Sequence, residues 1–353
     1  MGFARKAFTL VELLVVIGII GVLIGILLPA LSRARQQSQT IVCTSNLRSI
    51  GQGITEYIDD YRGVFPPSNY YKGLSWDSQG RQLPTEPSSG YVHWSAFLYS
   101  EKNLFGTDSI YYSRQGWDMF TCPALLNGGL PPANTYPGNN DAGLANETTN
   151  PDGSLCVDWQ APRCAYSVNE ALCPRGIFEI PFDNRQNVRM YKFVQASRVQ
   201  DSVNTIMATE IWGTQAVIEA NPLTSGPASS ASTPYVSGSR RPINGISPFS
   251  VTGGAQYAYQ LLYTKNFIWA SVGNLTHDPE DNPSGPNTLC ELDWVGRNHG
   301  SKKMGSVGGA SGSDWDLRKS NFLYVDGHVE TKHVTETVYP RNQWGPDFYT
   351  LDK

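Results

Sequence analysis

Five histidines and six cysteines carry most of the metal-binding and nucleophilic chemistry open to this 353-residue chain. The histidines stand at 93, 277, 299, 328 and 333. None shows the His-Glu-x-x-His spacing that sets two imidazoles on one helix face. The cysteines, at 43, 122, 156, 164, 173 and 290, include no Cys-x-x-Cys pair. That spacing argues against structural zinc and against thioredoxin-like redox chemistry, and disulfides in an oxidising compartment are the better reading. Neither a Gly-x-Ser-x-Gly nucleophile elbow nor a phosphate loop is present. His328 lies beside Asp326, a strand histidine next to a turn carboxylate, and is read as structural. Asp278, Glu280 and Asp281, followed by Asn282, form an oxygen-rich segment of the type that ligates calcium. An exposed acidic loop is the plainer reading of it. Trp76 and Trp94 could stack on sugars, though core packing accounts for them as well. The expectation is a chain that is not an enzyme and needs no cofactor, calcium being the one candidate ion.

Composition narrows the class. A formal charge of −4 leaves no basic stripe for nucleic acid. The chain has 34 glycines, 23 prolines and 11% aromatics, but only 16% charged residues, which fits a loop-rich β domain better than a helical bundle. Hydrophobic residues make up 40%, too many for a disordered chain.

The elements that position these residues begin with an apolar block, Phe8 to Leu28, broken only by Thr9, Glu12 and three glycines. At about 1.5 Å per residue it spans roughly 30 Å, the thickness of a bilayer's hydrocarbon core. Arg5 and Lys6 precede it, which keeps the N-terminus cytoplasmic and exports the rest, while Arg33 and Arg35 weaken that bias. A secretory signal would need a shorter apolar stretch and a small-x-small site. A plain anchor leaves Glu12 without a purpose, since a carboxylate in lipid costs about 2.5–3.5 kcal/mol.

Ala7-Phe8-Thr9-Leu10-Val11-Glu12-Leu13 resembles the processing site of type IV prepilins and type II secretion pseudopilins. The resemblance implies cleavage between Ala7 and Phe8 by a prepilin peptidase, then methylation of the Phe8 amine. It also implies that Glu12 serves filament assembly by pairing with a neighbouring subunit's new amine. The family strongly prefers glycine before the cut, where this chain has Ala7. Gly18, Gly21 and Gly25 let helices approach closely in lipid, and Pro29 falls where many family members carry a helix-weakening proline.

Helical periodicity continues past the membrane. Cys43, Leu47, Ile50, Ile54, Tyr57 or Ile58, and Tyr61 recur at three- and four-residue steps, and Gly63 with Pro66-Pro67 stops the helix. The expected fold is α+β and lollipop-shaped, with four parts. These are a leader at 1–7, a transmembrane helix at 8–31, its exported amphipathic continuation at 32–62, and a β-rich antiparallel domain with long loop insertions at 63–353. Segments 127–153 and 222–242 read as surface loops, and Ser202 to Ile211 and Gln256 to Tyr263 as strands. Cys43 lies on the apolar stripe, and Cys122 sits between an aromatic run and Pro123, so a Cys43–Cys122 disulfide is expected to pin helix to domain. A further bond is expected among Cys156, Cys164 and Cys173.

Near the end, Asn321–Val325 and His328–Lys332 flank Asp326-Gly327, the signature of a hairpin with a two-residue turn. The hairpin resembles the ending of a subfamily of large pilin-like proteins with a His, a spacer and an Asp-Gly turn. Segments 43–48, 120–123 and 165–169 match that subfamily too. His299 is its candidate histidine, with 26 residues between it and Asp326, a longer spacer than usual.

The function expected is a structural subunit of a type II secretion pseudopilus or type IV pilus-like filament, single-pass in the inner membrane. Its partners would be other pilin-like subunits, the prepilin peptidase and inner-membrane lipid, not nucleic acid. The alternative is a tethered extracytoplasmic domain, enzymatic or binding carbohydrate or another ligand, exported on a pilin-type leader.

Overall fold

A computed structural model of the chain describes residues 10–71, 74–76, 82–84, 91–99, 117–130, 160–173, 193–212, 243, 245, 270–275, 291–309 and 314–345. The first element is α1, Leu10–Asp60, whose 51 residues make a rod about 76 Å long. Straight-chain and aliphatic residues sustain it, and Pro29 lies inside it at the cost of one backbone donor. The helix closes in a Schellman arrangement, in which Arg62 takes a left-handed φ of 57° and the Gly63 N–H donates to the Ile58 carbonyl at 2.8 Å.

Its two halves have different surroundings. From Leu10 to Arg35 nearly every side chain is exposed, including Leu10 at 77% and Ile26 at 68%. In the second half Cys43, Leu47, Ile50 and Ile54 are fully buried, the stripe that the three- and four-residue steps define.

The remaining elements are short. They comprise the strands β1 (Asn69–Tyr71), β2 (Leu74–Trp76), β3 (Gln82–Pro84) and β4 (Tyr91–His93), helix α2 (Trp94–Tyr99), and β5 (Tyr166–Val168), β6 (Ile206–Glu210), β7 (Met304–Gly305), β8 (Trp315–Asp316), β9 (Ser320–Tyr324) and β10 (Val329–Lys332). The pairs β1–β4, β2–β3 and β7–β8 are small antiparallel ladders. The central sheet is antiparallel in the order β10-β9-β6-β5, with a register shift between Ile206 and Ala208.

Both faces of this sheet are covered, so β6 and β9 are buried along their whole length. On one face, Met207, Ala208, Leu323, Tyr166 and Val168 pack with the buried stripe of α1. A Cβ on Gly51 would stand 3.2 Å from Leu323 Cδ1, which shows how closely the helix lies over β9. On the other face, Ile206, Phe322 and Tyr324 pack with Trp294, Trp315 and Trp344. A long, half-docked apolar helix and an antiparallel sheet make an α+β lollipop.

Two local expectations need correcting. Within Ser202–Ile211 only Ile206–Glu210 is strand, because the Asp201 side chain accepts from the Asn204 N–H at 3.2 Å and winds Ser202–Asn204 into a 3-10 turn. The segment Gln256–Tyr263 lies outside the described residues. The hairpin forms, but its connection is a three-residue loop. The Gly327 N–H donates to Tyr324 O at 2.9 Å, closing a turn over Val325-Asp326, and within the loop only Gly327 has positive φ, at 90°. Asp326 stays at negative φ, with its carboxylate accepting from the His328 N–H at 3.1 Å.

Gly327→Val forces a β-branched residue into the left-handed region and should destabilise the domain by about 1–3 kcal/mol. His328, stacked on Tyr324 at 4.3 Å but partly exposed, should tolerate alanine at a cost of about 1 kcal/mol or less. Urea unfolding of both variants checks this. A larger loss for His328→Ala than for Gly327→Val would contradict it.

Candidate functional site

The point where the apolar rod meets the domain is built from four separate stretches of chain. From α1 come Gln36, Gln39, Thr40, Cys43 and Asn46. The turn after Trp117–Phe120 supplies Cys122, the end of β6 supplies Glu210, and a loop bridged to Lys319 supplies His299. Cys43 and Cys122 are joined in a disulfide with Cα atoms 5.4 Å apart, closing a sequence separation of 79. Around it Asn46 Nδ2 donates to the Thr121 carbonyl at 2.7 Å, and Gln39 Nε2 donates to the Pro123 carbonyl at 2.8 Å. Nearer the rod, Ser301 Oγ donates to Gln36 Oε1 at 3.4 Å.

Beside the disulfide lies a buried polar chain. Glu210 is fully buried, and its Oε1 is 2.7 Å from His299 Nε2 and 3.0 Å from Asn321 Nδ2. Its Oε2 accepts from the Asn321 N–H at 3.2 Å and from Ser320 Oγ at 3.4 Å. His299 Nδ1 stands 3.1 Å from Thr40 Oγ1 on the helix. The helix is therefore tied to β9 through imidazole and carboxylate as well as through sulfur. Tyr166 caps the arrangement, its hydroxyl 3.4 Å from the Cys43 carbonyl and 3.3 Å from that of Thr121. Burial, and next the Glu210 charge, push the Tyr166 phenol well up, so it stays a protonated donor.

Thiol pair, carboxylate and imidazole offer donor atoms all within 4.8 Å of one another. Each of the four residues is at most 4% exposed. The arrangement suits cross-linking and ligation more than work on a substrate arriving from solvent.

The other sites named from sequence fall elsewhere. Glu12 occupies the first turn of α1, within the exposed apolar stretch. Asp326 and Gly327 form the hairpin loop. Ala7, Phe8 and the calcium candidates Asp278, Glu280 and Asp281 lie outside the described residues, as do Cys156 and Cys290. Cys164 and Cys173 are both buried and are not bonded to each other, and burial pushes the Cys173 thiol up. His299, the motif histidine in the sequence reading, proves to be a helix-to-sheet contact. Sequence reasoning passed over Glu210 and Thr40, although a carboxylate inside the largely apolar segment Ile206 to Trp212 was a usable signal.

Residues 3–28 match the model of the prokaryotic N-terminal methylation motif. No curated protein and no solved structure matches the chain. The chain thus carries a pilin-type leader of the kind processed by prepilin peptidase. The helix that follows is long and apolar enough to cross a membrane, which is consistent with single-pass anchoring.

Proposed function

We propose that the chain is a structural, non-enzymatic subunit of a type II secretion pseudopilus or a type IV pilus-like filament. Its leader is removed between Ala7 and Phe8, Phe8 is N-methylated, and the domain beyond the rod stands on the extracytoplasmic side of the inner membrane. One observation carries the reading. The methylation motif at residues 3–28 runs straight into an unbroken helix whose first half is a bare apolar rod and whose second half is clamped to a domain. A rod of this kind packs against copies of itself or of related subunits, first in lipid and then in a filament core. Gly18, Gly21 and Gly25 leave open space beside the helix where another could lie close.

Glu12 supplies the test. A carboxylate at the start of a lipid-embedded helix is costly unless a cation meets it, and cleavage creates such a cation at a neighbour's Phe8 amine. Glu12→Gln should insert at least as well as wild type, while its filament yield, or its subunit cross-linking in the membrane, falls at least tenfold. Negative-stain imaging and cross-linking measure it. Unchanged assembly in Glu12→Gln would favour a tethered monomer that borrows the leader only for export.

A further inference from the structure

The buried junction contains more ligating chemistry than a disulfide needs. Two thiols, an imidazole and a carboxylate converge with all four donor atoms within 4.8 Å of one another. Donors on a common tetrahedral zinc ion stand about 3.3–3.8 Å apart, so the side chains are already gathered at that scale. They come from four separate stretches of chain, a convergence that the folded domain enforces.

The orientation of His299 strengthens the case. Thr40 has one hydroxyl hydrogen, and the Gln36 carbonyl one turn back receives it at 3.0 Å. Thr40 Oγ1 is then left to accept from His299 Nδ1–H at 3.1 Å. This fixes the tautomer that points the Nε2 lone pair inward, at Glu210 Oε1 2.7 Å away. Asn321 Nδ2 reaches both atoms from the side, at 2.9 and 3.0 Å, and a proton or a metal between the two electron-pair donors would hold them at 2.7 Å. Metal-ligating histidines are held in the same manner, with the second ring nitrogen donating to an outer partner. Glu210 is likewise oriented from behind by the Asn321 N–H and by Ser320. Among the described residues, no lysine or arginine pairs with it, and the one basic side chain that meets it is the His299 imidazole.

We propose that the reduced chain binds one zinc-type divalent cation through Cys43 Sγ, Cys122 Sγ, His299 Nε2 and a Glu210 oxygen, and that this state and the disulfide exclude each other. Two sulfurs, one nitrogen and one oxygen suit a borderline-soft tetrahedral ion and disfavour calcium or magnesium, which take oxygen. Binding displaces the thiol protons, and the cation offsets the buried carboxylate. Oxidation then proceeds by exchange with an incoming disulfide, small-molecule or protein. The two thiolates give up two electrons and form the Cys43–Cys122 bond. The incoming S–S bond breaks into two thiolates, and the cation is released. In both states the helix stays clamped at the same point, first by metal and afterwards by sulfur. Thr40 acts as a positioning residue through His299.

The test uses the full chain in detergent micelles, reduced with a phosphine under anaerobic conditions and titrated with cobalt(II). The expected result is one cobalt per reduced chain, showing the visible bands of a four-coordinate site and thiolate charge-transfer absorption, displaced by one equivalent of zinc. The disulfide-bonded chain and a Cys43→Ser/Cys122→Ser variant should take up none. Thr40→Val should bind 10–100-fold more weakly with the same bands. Oxidised glutathione should release the metal as the disulfide returns. If the reduced chain loses its native circular dichroism without metal, zinc should restore it. The proposal is overturned if the reduced chain binds no cobalt and zinc restores nothing. Equal binding by the double-serine variant, whose other cysteines remain, overturns it as well.

Discussion

Glu210→Ala should lower the unfolding free energy of the domain by about 2–4 kcal/mol, the loss expected when the acceptor at the centre of a buried hydrogen-bond network is deleted. The residue is fully buried at the end of β6, and its oxygens meet His299, the Asn321 side chain and N–H, and Ser320. Truncation takes the carboxylate from the imidazole and from both Asn321 donors; Asn321 Nδ2 keeps His299 Nε2 at 2.9 Å, while the buried Asn321 N–H loses its acceptor and carries a desolvation penalty. Because His299 also meets Thr40, the loss should extend to the clamp on α1. Glu210→Gln retains an oxygen for Asn321 and should fall between wild type and alanine. Urea unfolding followed by tryptophan fluorescence measures the series. A loss below about 1 kcal/mol for alanine, the size of an ordinary surface change, would show that the network does not hold helix to sheet.

Reduction of Cys43–Cys122 in the presence of a chelator should cost about 4 kcal/mol, from the chain entropy returned when a loop of this size opens in the unfolded state. The effect should localise. Amide exchange ought to accelerate in the docked half of α1, around Cys43 to Ile54, more than in β6 or β9, which keep their ladder and second face. Unchanged stability and exchange after complete reduction would mean that packing alone secures the helix.

The helix and its docking stripe were legible because periodicity is a local property. Cys43, Leu47, Ile50 and Ile54 mark one face whatever covers it, and the structure buries all four. The terminal hairpin was legible for the same reason. Its turn was misread because Asp-Gly fits both a two-residue turn and a three-residue loop, and the Asp326 bond to the His328 N–H favours the second. The buried cluster left almost no trace in spacing. His299 and Asn321 meet Glu210 across 89 and 111 positions of sequence. The absence of Cys-x-x-Cys and His-x-x-x-His patterns excludes only sites whose ligands sit on one element. A site drawn from four segments needs the fold to gather it. Glu210 itself stood out only as a carboxylate in an apolar strand, and its partners could not be named without the sheet.

The central claim, a pilin-type leader that is cut and methylated to yield an assembly-competent rod, is met most directly by the intact mass of the protein purified from the membrane fraction. The account predicts a chain that begins at Phe8, heavier by one methyl group than the sequence from Phe8 onward. A stable protein that retains Met1 to Ala7 and carries no methyl group would contradict it.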